Sequence, residues 1–393
     1  MRRLLGILAA ILVIGGGAYW YTNNQKMAEM AKAEKMAADA ATTKAAEDAA
    51  AAEVAAAAMA KKTKACFIYV GPVGDGGWTF QHNVGRLQVE KELGDKVETA
   101  FLESVPEGPD AERALERFAR EGCNIIFTTS FGYMDQTNTV AAKFPDVKFE
   151  HATGFKRGSA NVSNYNSKFH EGRYIQGQIA AKVSKTGVAG YIASFPIPEV
   201  VMGINAFTLG AQSVNPAFKL KVVWANTWFD PGKEADAAKA LIDQGVDIIT
   251  QHTDSTAPMQ VATERGIKAF GQASDMMKFG PTTQLTSIVD DWGPYYVSRV
   301  KAVVDGTWSQ VDVWGGMKEG HVVMAPYANM PDDVKALATE TQAKITAGTF
   351  NPFTGPVTKQ DGTEWLKAGE VADNGVLLGM NFYVNGVDDK LPQ

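Results

Sequence analysis

Cysteine is scarce in this chain, and no metal or redox motif can be recognised. The 393 residues contain two cysteines, Cys66 and Cys123, which form no CxxC pair and have no histidine at metal-ligand spacing. The sequence therefore predicts no metal site and no other cofactor. Both cysteines lie near the starts of predicted neighbouring strands in a sheet ordered 2-1-3-4-5. They could form a disulfide in an oxidising compartment, although facing positions on adjacent parallel strands often have unsuitable Cβ geometry.

Clustered positive charge is also missing. The net charge is -6, and beyond the N terminus the densest basic stretch is Lys61-Lys62 with Lys64. Because neutralising phosphates requires clustered Lys and Arg, this distribution excludes a nucleic-acid surface. No nucleophile or paired-carboxylate motif is recognisable, and His82 and His252 have no evident catalytic or metal-binding partners, so the chain is predicted not to be an enzyme.

Only one long apolar run occurs, at the N terminus. Arg2 and Arg3 precede an uncharged stretch of about 18 residues from Leu4 to Tyr21, which is long enough to cross a hydrocarbon layer. Residues 1–21 are therefore predicted to form a transmembrane anchor or uncleaved signal segment. The body of the protein is expected on the far side of the cytoplasmic membrane. A cleaved signal peptide is the alternative, but the bulky aromatic end of the run fits a cleavage site poorly.

Glycine and proline are absent from residues 22–64, where Ala, Lys, Glu and Met dominate. This composition has high helix propensity but lacks a wide apolar face. It predicts a helical or partly frayed spacer between the anchor and a folded domain.

From residue 65 onwards, short apolar runs alternate with amphipathic stretches, and the same rhythm restarts after residue 170. This pattern predicts an α/β protein with two lobes, each a parallel sheet flanked by helices. We expect a ligand-binding domain at 65–393, with crossings between the lobes near 166–170 and 276–292. The N-lobe is expected at 65–167 plus 290–318, and the C-lobe at 168–289 plus parts of the C-terminal tail.

Aromatic and acidic residues follow the predicted strands, where side chains of parallel sheets meet a ligand. The residues at these strand ends include Asp75, Trp78, Phe131, Trp228, Asp254 and Asp275. Such a set suits a flat heteroaromatic ligand such as a purine, because rings can stack on its faces while carboxylates meet its ring edge. Packing between helix and sheet is the alternative for both tryptophans, and helix capping is the alternative for Asp75 and the favoured role of Asp230.

The glycine-rich segment GPVGDGG lacks the Lys-Ser/Thr ending of a phosphate-binding loop and does not match GxGxxG. Its glycines are expected to allow tight turns and close approach of a ligand.

Several phrases of this sequence together resemble the basic membrane protein family of ABC-transporter substrate-binding proteins, which has the type I periplasmic-binding-protein fold. The phrases include FIYVGPVGDGGWTFQHNVGR, FHEGRYIQGQIAA, DDWGPYY, GTW at 306–308 and MNFYVNGV. The resemblance implies an extracytoplasmic protein that binds a purine base, such as adenine, or a purine nucleoside for an ABC permease. It also implies that Trp78 stacks on the base and that the following residues surround it: Asp75, Phe131, Asn166, Trp228, Asp254 and Asp275.

The start of the chain departs from that family, whose members usually carry a lipid-accepting cysteine after the signal peptide. Here an apolar segment and an alanine-rich spacer occupy that region. This difference leaves open a second role, a membrane-tethered ligand sensor that signals to a membrane partner. A nucleoside-processing enzyme is a weaker third alternative.

Overall fold

The computed structural model describes residues 2–60 and 62–392, with side chains described for residues 20, 22–51 and 62–392. The chain divides into two compact units, Met1–Lys62 and Thr63–Gln393. The first unit is one helix, α1 (Arg2–Ala60), whose described side chains are all exposed to solvent. From residue 22 to residue 51, an Ala-rich sequence without Gly or Pro explains a continuous helix whose side chains are all exposed.

Within the described part of the chain, no helix combines the length and the apolarity needed to span a membrane. The predicted anchor, residues 1–21, lies almost entirely outside the described side chains. The anchor therefore stays a prediction.

The second unit begins with a six-stranded, all-parallel sheet. Its strands are β1 (Thr63–Ile68), β2 (Val97–Leu102), β3 (Ile125–Thr128), β4 (Lys148–Ala152), β5 (Val162–Ser167) and β11 (Asp312–Gly315). They lie in the order β11-β5-β4-β3-β1-β2, which confirms the order 2-1-3-4-5 predicted for the first five. The helices of this lobe are α2 (Trp78–Leu93), α3 (Pro109–Arg120), α4 (Met134–Lys143) and α9 (Gly293–Val304).

Both faces of this sheet are buried, which explains why β1 is apolar at successive positions rather than at alternate ones. Phe67 packs in the core that contains α2 and α9 residues, whereas Cys66 and Ile68 pack in the core that contains α3 and α4 residues. Burial of a side chain such as Phe67 stabilises the fold by about 1.5–3 kcal/mol.

The second lobe repeats the arrangement. Its strands are β6 (Val188–Ala193), β7 (Lys219–Trp224), β8 (Ile248–Gln251), β9 (Lys268–Gly271), β10 (Gln284–Asp290) and β12 (Val322–Met324). The order is β12-β10-β9-β8-β6-β7, and only β12 runs antiparallel to its neighbour. The helices are α5 (His170–Val183), α6 (Pro198–Gln212), α7 (Pro231–Asp243), α8 (Ala257–Glu264) and α10 (Asp332–Thr346). Gly177 and Gly210 let α5 and α6 pack closely, because a Cβ on either would overlap the other helix's backbone.

The C-terminal segment contains a short hairpin and a short helix. These are β13 (Val357–Thr358), β14 (Glu364–Leu366) and α11 (Asn374–Leu378). Residues of this segment, such as Leu366 and Leu377, belong to the same hydrophobic core as the second lobe.

The chain passes between the two lobes three times, which makes a multi-segment hinge. The passages follow β5, β10 and β11. At the hinge, the backbone N–H of Lys168 donates to the carbonyl of Gly315, 2.7 Å away, and ties two passages together. Such a hinge permits the lobes to rotate as rigid bodies.

A disulfide joins Cys66 and Cys123, with Cα atoms 6.0 Å apart. The pair avoids the geometric difficulty of facing strand positions, because Cys66 is opposite Ile126 in the sheet while Cys123 lies in the turn before β3.

Candidate ligand-binding site

A cavity lies between the lobes at the carboxyl ends of both sheets. The residues that line it are Val70, Trp78, Ser130, Phe131, Thr153, Glu199, Trp228, His252, Asp254 and Gln272. Nearly all of them follow a strand closely in the chain, so the parallel topology gathers distant parts of the sequence at one edge of each sheet.

Trp78, the first residue of α2, has a fixed ring position. Its indole N–H donates to the carbonyl of Thr129 at 2.7 Å. His82 and Trp292 meet its ring edge-to-face, with centroids 4.4 and 5.8 Å away. Trp78 therefore packs inside the lobe and also lines the cavity. The packing role and the position facing a ligand, which were alternatives at the level of sequence, occur together.

Trp228 and Phe131 supply the other aromatic walls, from opposite lobes. Trp228 packs against Phe195 with ring centroids 5.1 Å apart. Its indole N–H donates across the cleft to the Glu107 carboxylate at 3.3 Å. Glu107 also accepts hydrogen bonds from Ser130 and Gly132, so it links an aromatic wall of one lobe to the other lobe.

Two carboxyl groups face the same cavity. Burial raises the pKa of Asp254 well above its usual range, and the nearby carboxylates of Asp75 and Glu234 raise it further. Burial also raises the pKa of Glu199 to about 7, although the charge of Arg173 partly opposes the shift. No hydrogen bond to the Glu199 side chain occurs within the described residues, so its oxygen atoms are available to a ligand.

Arg173 is fully buried beneath the cavity and organises its floor. Its guanidinium donates to Gln176, Thr250 and Gln272 side chains and to the carbonyl of Gln251. Because Gln272 accepts through its side-chain oxygen, its amide nitrogen is the atom that can donate to a ligand. The phrase GRYIQGQ thus contains a structural cation that positions a pocket residue.

The four predicted ligand residues Trp78, Phe131, Trp228 and Asp254 come together in this cavity. Asn166 lines a larger neighbouring cavity, named here the second chamber. Phe131, Thr153 and Glu199 line both cavities, so the two spaces adjoin.

The structure places Asp75 and Asp275 outside the set of residues that line either cavity. Asp75 caps α2, where its carboxylate accepts hydrogen bonds from the backbone N–H groups of Gly77, Thr79 and Phe80. Burial nevertheless raises the pKa of Asp75 to about 6. Asp275 is exposed and accepts from Met277 and Gln284. The capping role predicted for Asp230 is confirmed, because it accepts from the backbone N–H of Lys233.

Sequence reasoning did not assign Ser130, Thr153, Glu199, His252 and Gln272 to the site, although all five line the cavity. These residues carry no motif of their own. Their shared signal is position, because each closely follows a strand or begins the helix after it.

Backbone strain is concentrated at the carboxyl ends of the strands, where the cavity lies. The non-glycine residues Ser104, Thr153, Asn226 and Ala273 have positive φ angles of 54°, 62°, 51° and 57°. Each comes one or two residues after a strand, namely β2, β4, β7 and β9. Such conformations cost about 1–3 kcal/mol each and are often found at functional sites.

The glycine-rich loop before α2 meets the opposite lobe directly. A Cβ on Gly77 would lie 2.6 Å from the carbonyl oxygen of Asp254. The Ser274 hydroxyl donates to the carbonyl of Gly76. The close approach predicted for these glycines therefore includes contact with the second lobe, and the cleft is closed at this point.

In the described part of the chain, no group of three His, Cys, Asp or Glu side chains is arranged to hold a metal ion.

A family model described as ABC transporter substrate-binding protein, PnrA-like, matches residues 62–350. A purine-binding protein of Brucella abortus (strain 2308) is 70% identical over 333 residues, which cover 85% of this chain and 95% of that protein. A Haloferax volcanii protein, whose name assigns it to glucose binding by an ABC transporter, is 36% identical over 329 residues, with coverages of 84% and 81%.

Among solved structures, an ABC transporter solute-binding protein of Aeropyrum pernix K1 superposes with a TM-score of 0.66 at 20% identity, covering 73% of this chain and 92% of that one. This similarity confirms the predicted two-lobed periplasmic-binding-protein fold.

Proposed function

Since this chain belongs to the PnrA-like family of ABC transporter substrate-binding proteins, as its sequence motifs predicted, we propose that its ligand is a purine base of the adenine type. The base lies between the lobes with its faces against aromatic rings. The loaded protein then delivers it to an ABC permease. The members of the family bind a substrate rather than transform it, so no residue is given a catalytic role.

One observation carries the choice of a flat ligand, namely a cavity with three aromatic walls. Trp78, Phe131 and Trp228 all line this cavity. Stacking on an aromatic side chain contributes about 1–3 kcal/mol per base. A sugar ring has axial and equatorial hydroxyls but no planar π-system, so it would use these walls less well.

The polar groups of the cavity favour a ligand that has hydrogen-bond donors on its edge. Glu199 and Asp254 can accept from an exocyclic amine or a ring N–H, while Gln272 can donate to a ring nitrogen. Adenine offers both kinds of group. The Brucella relative, named as purine-binding, supports the same ligand class.

The charge of the cavity argues against a nucleotide. Of the described residues that line it, none is Lys or Arg, while Glu199 and Asp254 are acidic. A phosphate would lose its hydration without gaining a cationic partner, which is costly. We therefore expect bases, and not their phosphates, to bind.

The N-terminal unit supports a tether. The part of α1 beyond the predicted anchor, residues 22–60, would be about 60 Å long as a helix, and the apolar start of the chain would anchor it to the cytoplasmic membrane. This long spacer, in place of a lipid-accepting cysteine, also favours a second candidate, a tethered sensor of the same ligand. Loss of adenine uptake on deletion of the chain would support transport, and unchanged uptake with an altered cellular response to adenine would support sensing.

The binding proposal is tested by calorimetric titration of the full chain in detergent, after refolding to remove any carried-over ligand. Adenine, guanine, adenosine, AMP and glucose form the panel, and Trp228→Leu is compared with Trp365→Leu. Trp365 packs against Phe353 and Phe382 in the C-terminal segment and does not line the cavity, so it is the matched control.

The expected result is saturable binding of adenine that Trp228→Leu weakens and Trp365→Leu leaves unchanged. Binding of glucose alone would keep the fold and family but refute the purine proposal.

A further inference from the structure

The cavity lined by Trp78, Phe131 and Trp228, called the base cavity from here on, adjoins the second chamber. Phe131, Thr153 and Glu199 line both spaces. The second chamber is the larger of the two spaces. A ligand that filled only the first space would leave the larger one occupied by solvent.

The wall of the second chamber is mostly apolar. Phe155, Met202, Trp314 and Leu378 contribute to it. Phe155 is 61% exposed and Leu378 is 46% exposed, so part of the apolar surface here is in contact with water. Covering such surface with an apolar group is favourable, at about 25 cal/mol per Å².

Charged groups in this chamber are few and acidic. Glu199 lies at its junction with the base cavity, and Asp312 is paired with Arg157 at 3.0 Å. No Lys or Arg is among its described lining residues. The chamber is therefore unsuited to a phosphate or carboxylate.

The polar side chains near the junction are largely engaged within the protein. The Tyr165 hydroxyl bonds to that of Tyr296 at 2.8 Å, and the Asn166 oxygen accepts from the backbone N–H of Ser167 at 2.8 Å. Apart from the Glu199 carboxyl group, a group rich in hydroxyls, such as a sugar, would find few free partners here.

We propose that the second chamber is a subsite for an uncharged, mainly apolar substituent carried by the purine. This inference rests on the proposed function, because the substituent enters the chamber only when the base occupies the first cavity. The protein would then accept N-substituted adenines as well as adenine. Adenine nucleotides would be excluded from both spaces.

The test compares adenine with N6-benzyladenine and 9-benzyladenine, which place the same apolar group on different edges of the base, and with AMP. Dissociation constants are measured by calorimetry for the full chain and for two tryptophan variants of helix α11. Leu378→Trp narrows the chamber. Val376→Trp is the matched control, since Val376 is similarly exposed on the same short helix but does not line the chamber.

At least one benzyladenine is expected to bind with an affinity within about threefold of that of adenine, or more tightly. Leu378→Trp should weaken that ligand about tenfold or more while changing adenine binding less than about threefold. Val376→Trp should change neither. AMP should not bind detectably.

The subsite is refuted if adenine binds but both benzyladenines bind more than about a hundredfold more weakly, or if Leu378→Trp affects them no more than it affects adenine. Tight binding of AMP would also refute it. If no purine binds at all, the proposed function itself fails, and the two failures are thereby distinguished.

Discussion

At the scale of single residues, the site depends on side chains whose positions are set by contacts outside the cavity. Trp78 is held by the Thr129 carbonyl and by the rings of His82 and Trp292. A ring that is fixed before the ligand arrives loses little conformational entropy on binding. The stacking contribution of Trp78 should therefore appear almost fully as affinity.

Replacing Trp78 by Leu is expected to weaken adenine binding by about 1–3 kcal/mol, because the stacking surface is lost while an apolar side chain still covers His82. Calorimetric titration measures the change. Trp365→Leu is the control for loss of an indole elsewhere, and equal affinity of the two variants would refute the stacking role.

The raised pKa of Glu199 predicts that the stability of the folded protein depends on pH. Its pKa in the folded protein is about 7, against 4.5 ordinarily, so the folded state holds its proton over a wider pH range than the unfolded state does. Its contribution to stability is fully present below pH 4.5 and is lost as the pH rises towards 7. Glu199→Gln should therefore be more stable than the parent protein at pH 8 and show a flatter dependence of stability on pH, as measured by denaturant unfolding.

The affinity for adenine should change with pH in the direction opposite to stability, rising as the pH rises. If an N–H group of adenine donates to ionised Glu199, protons compete with the ligand, and affinity should fall by up to about tenfold per unit as the pH drops below 7. Glu199→Gln should remove this dependence. Glu171→Gln is the control, since Glu171 is also partly buried but lines neither cavity. A pH profile unchanged by Glu199→Gln would refute the contact.

At the scale of secondary-structure elements, the beginnings of helices bring functional residues to the cleft. Trp78 begins α2, and Glu199 lies in the first turn of α6. The loop before α2 must also pass close to the second lobe, and Gly77 meets this requirement because it has no side chain.

Gly77→Ala should hinder closure of the lobes, because its Cβ would overlap the carbonyl of Asp254. We expect ligand affinity to fall by about 1–3 kcal/mol, the usual cost of an overpacked contact. Gly74→Ala in the same loop is the control, since no atom lies within 4 Å of a Cβ there. Calorimetry should separate the two variants, and identical affinities would contradict the proposed closure contact.

The Cys66–Cys123 disulfide closes a segment with a sequence separation of 57 that contains α2, β2 and α3. In the chain-entropy model, removing a cross-link of this span destabilises a protein by about 4 kcal/mol. The double variant Cys66→Ser and Cys123→Ser should therefore unfold at clearly lower denaturant concentration. An unchanged midpoint would indicate that the disulfide adds no stability.

At the scale of the whole molecule, the two lobes are joined by three chain passages and also touch directly across the cleft. Direct contacts include the Trp228–Glu107 and Ser274–Gly76 hydrogen bonds. A ligand between the lobes makes contacts with both, so it favours the closed arrangement and opposes unfolding.

Adenine at about 100 times its dissociation constant is expected to stabilise the protein by about 2.7 kcal/mol, which would raise the melting temperature of the ligand-binding unit. The same concentration should have a much smaller effect on Trp78→Leu. An equal shift in both proteins would show that stabilisation does not come from this site.

A considerable part of this molecule could be predicted from its sequence. The alternation of apolar and amphipathic stretches predicted the two-lobed fold, because elements of this period must bury one or both faces. The aromatic residues Trp78, Phe131 and Trp228 were recognisable because they follow predicted strands. The capping role of Asp230 followed from its place before Pro231, which is a local property of the backbone.

Tertiary structure decided the use of each polar group. Asp75 and Asp275 follow strands as Asp254 does, yet local N–H groups or Gln284 occupy their carboxylates, while Asp254 faces the cavity. The disulfide likewise depends on tertiary structure, because Cys123 lies in the turn before β3 and is not the residue opposite Cys66 in the sheet. The sequence by itself determined which elements form and which strand ends are polar, because both depend on neighbours in the chain. Only the packing of the two lobes decided which side chains share a cavity, because those side chains come from residues far apart in sequence.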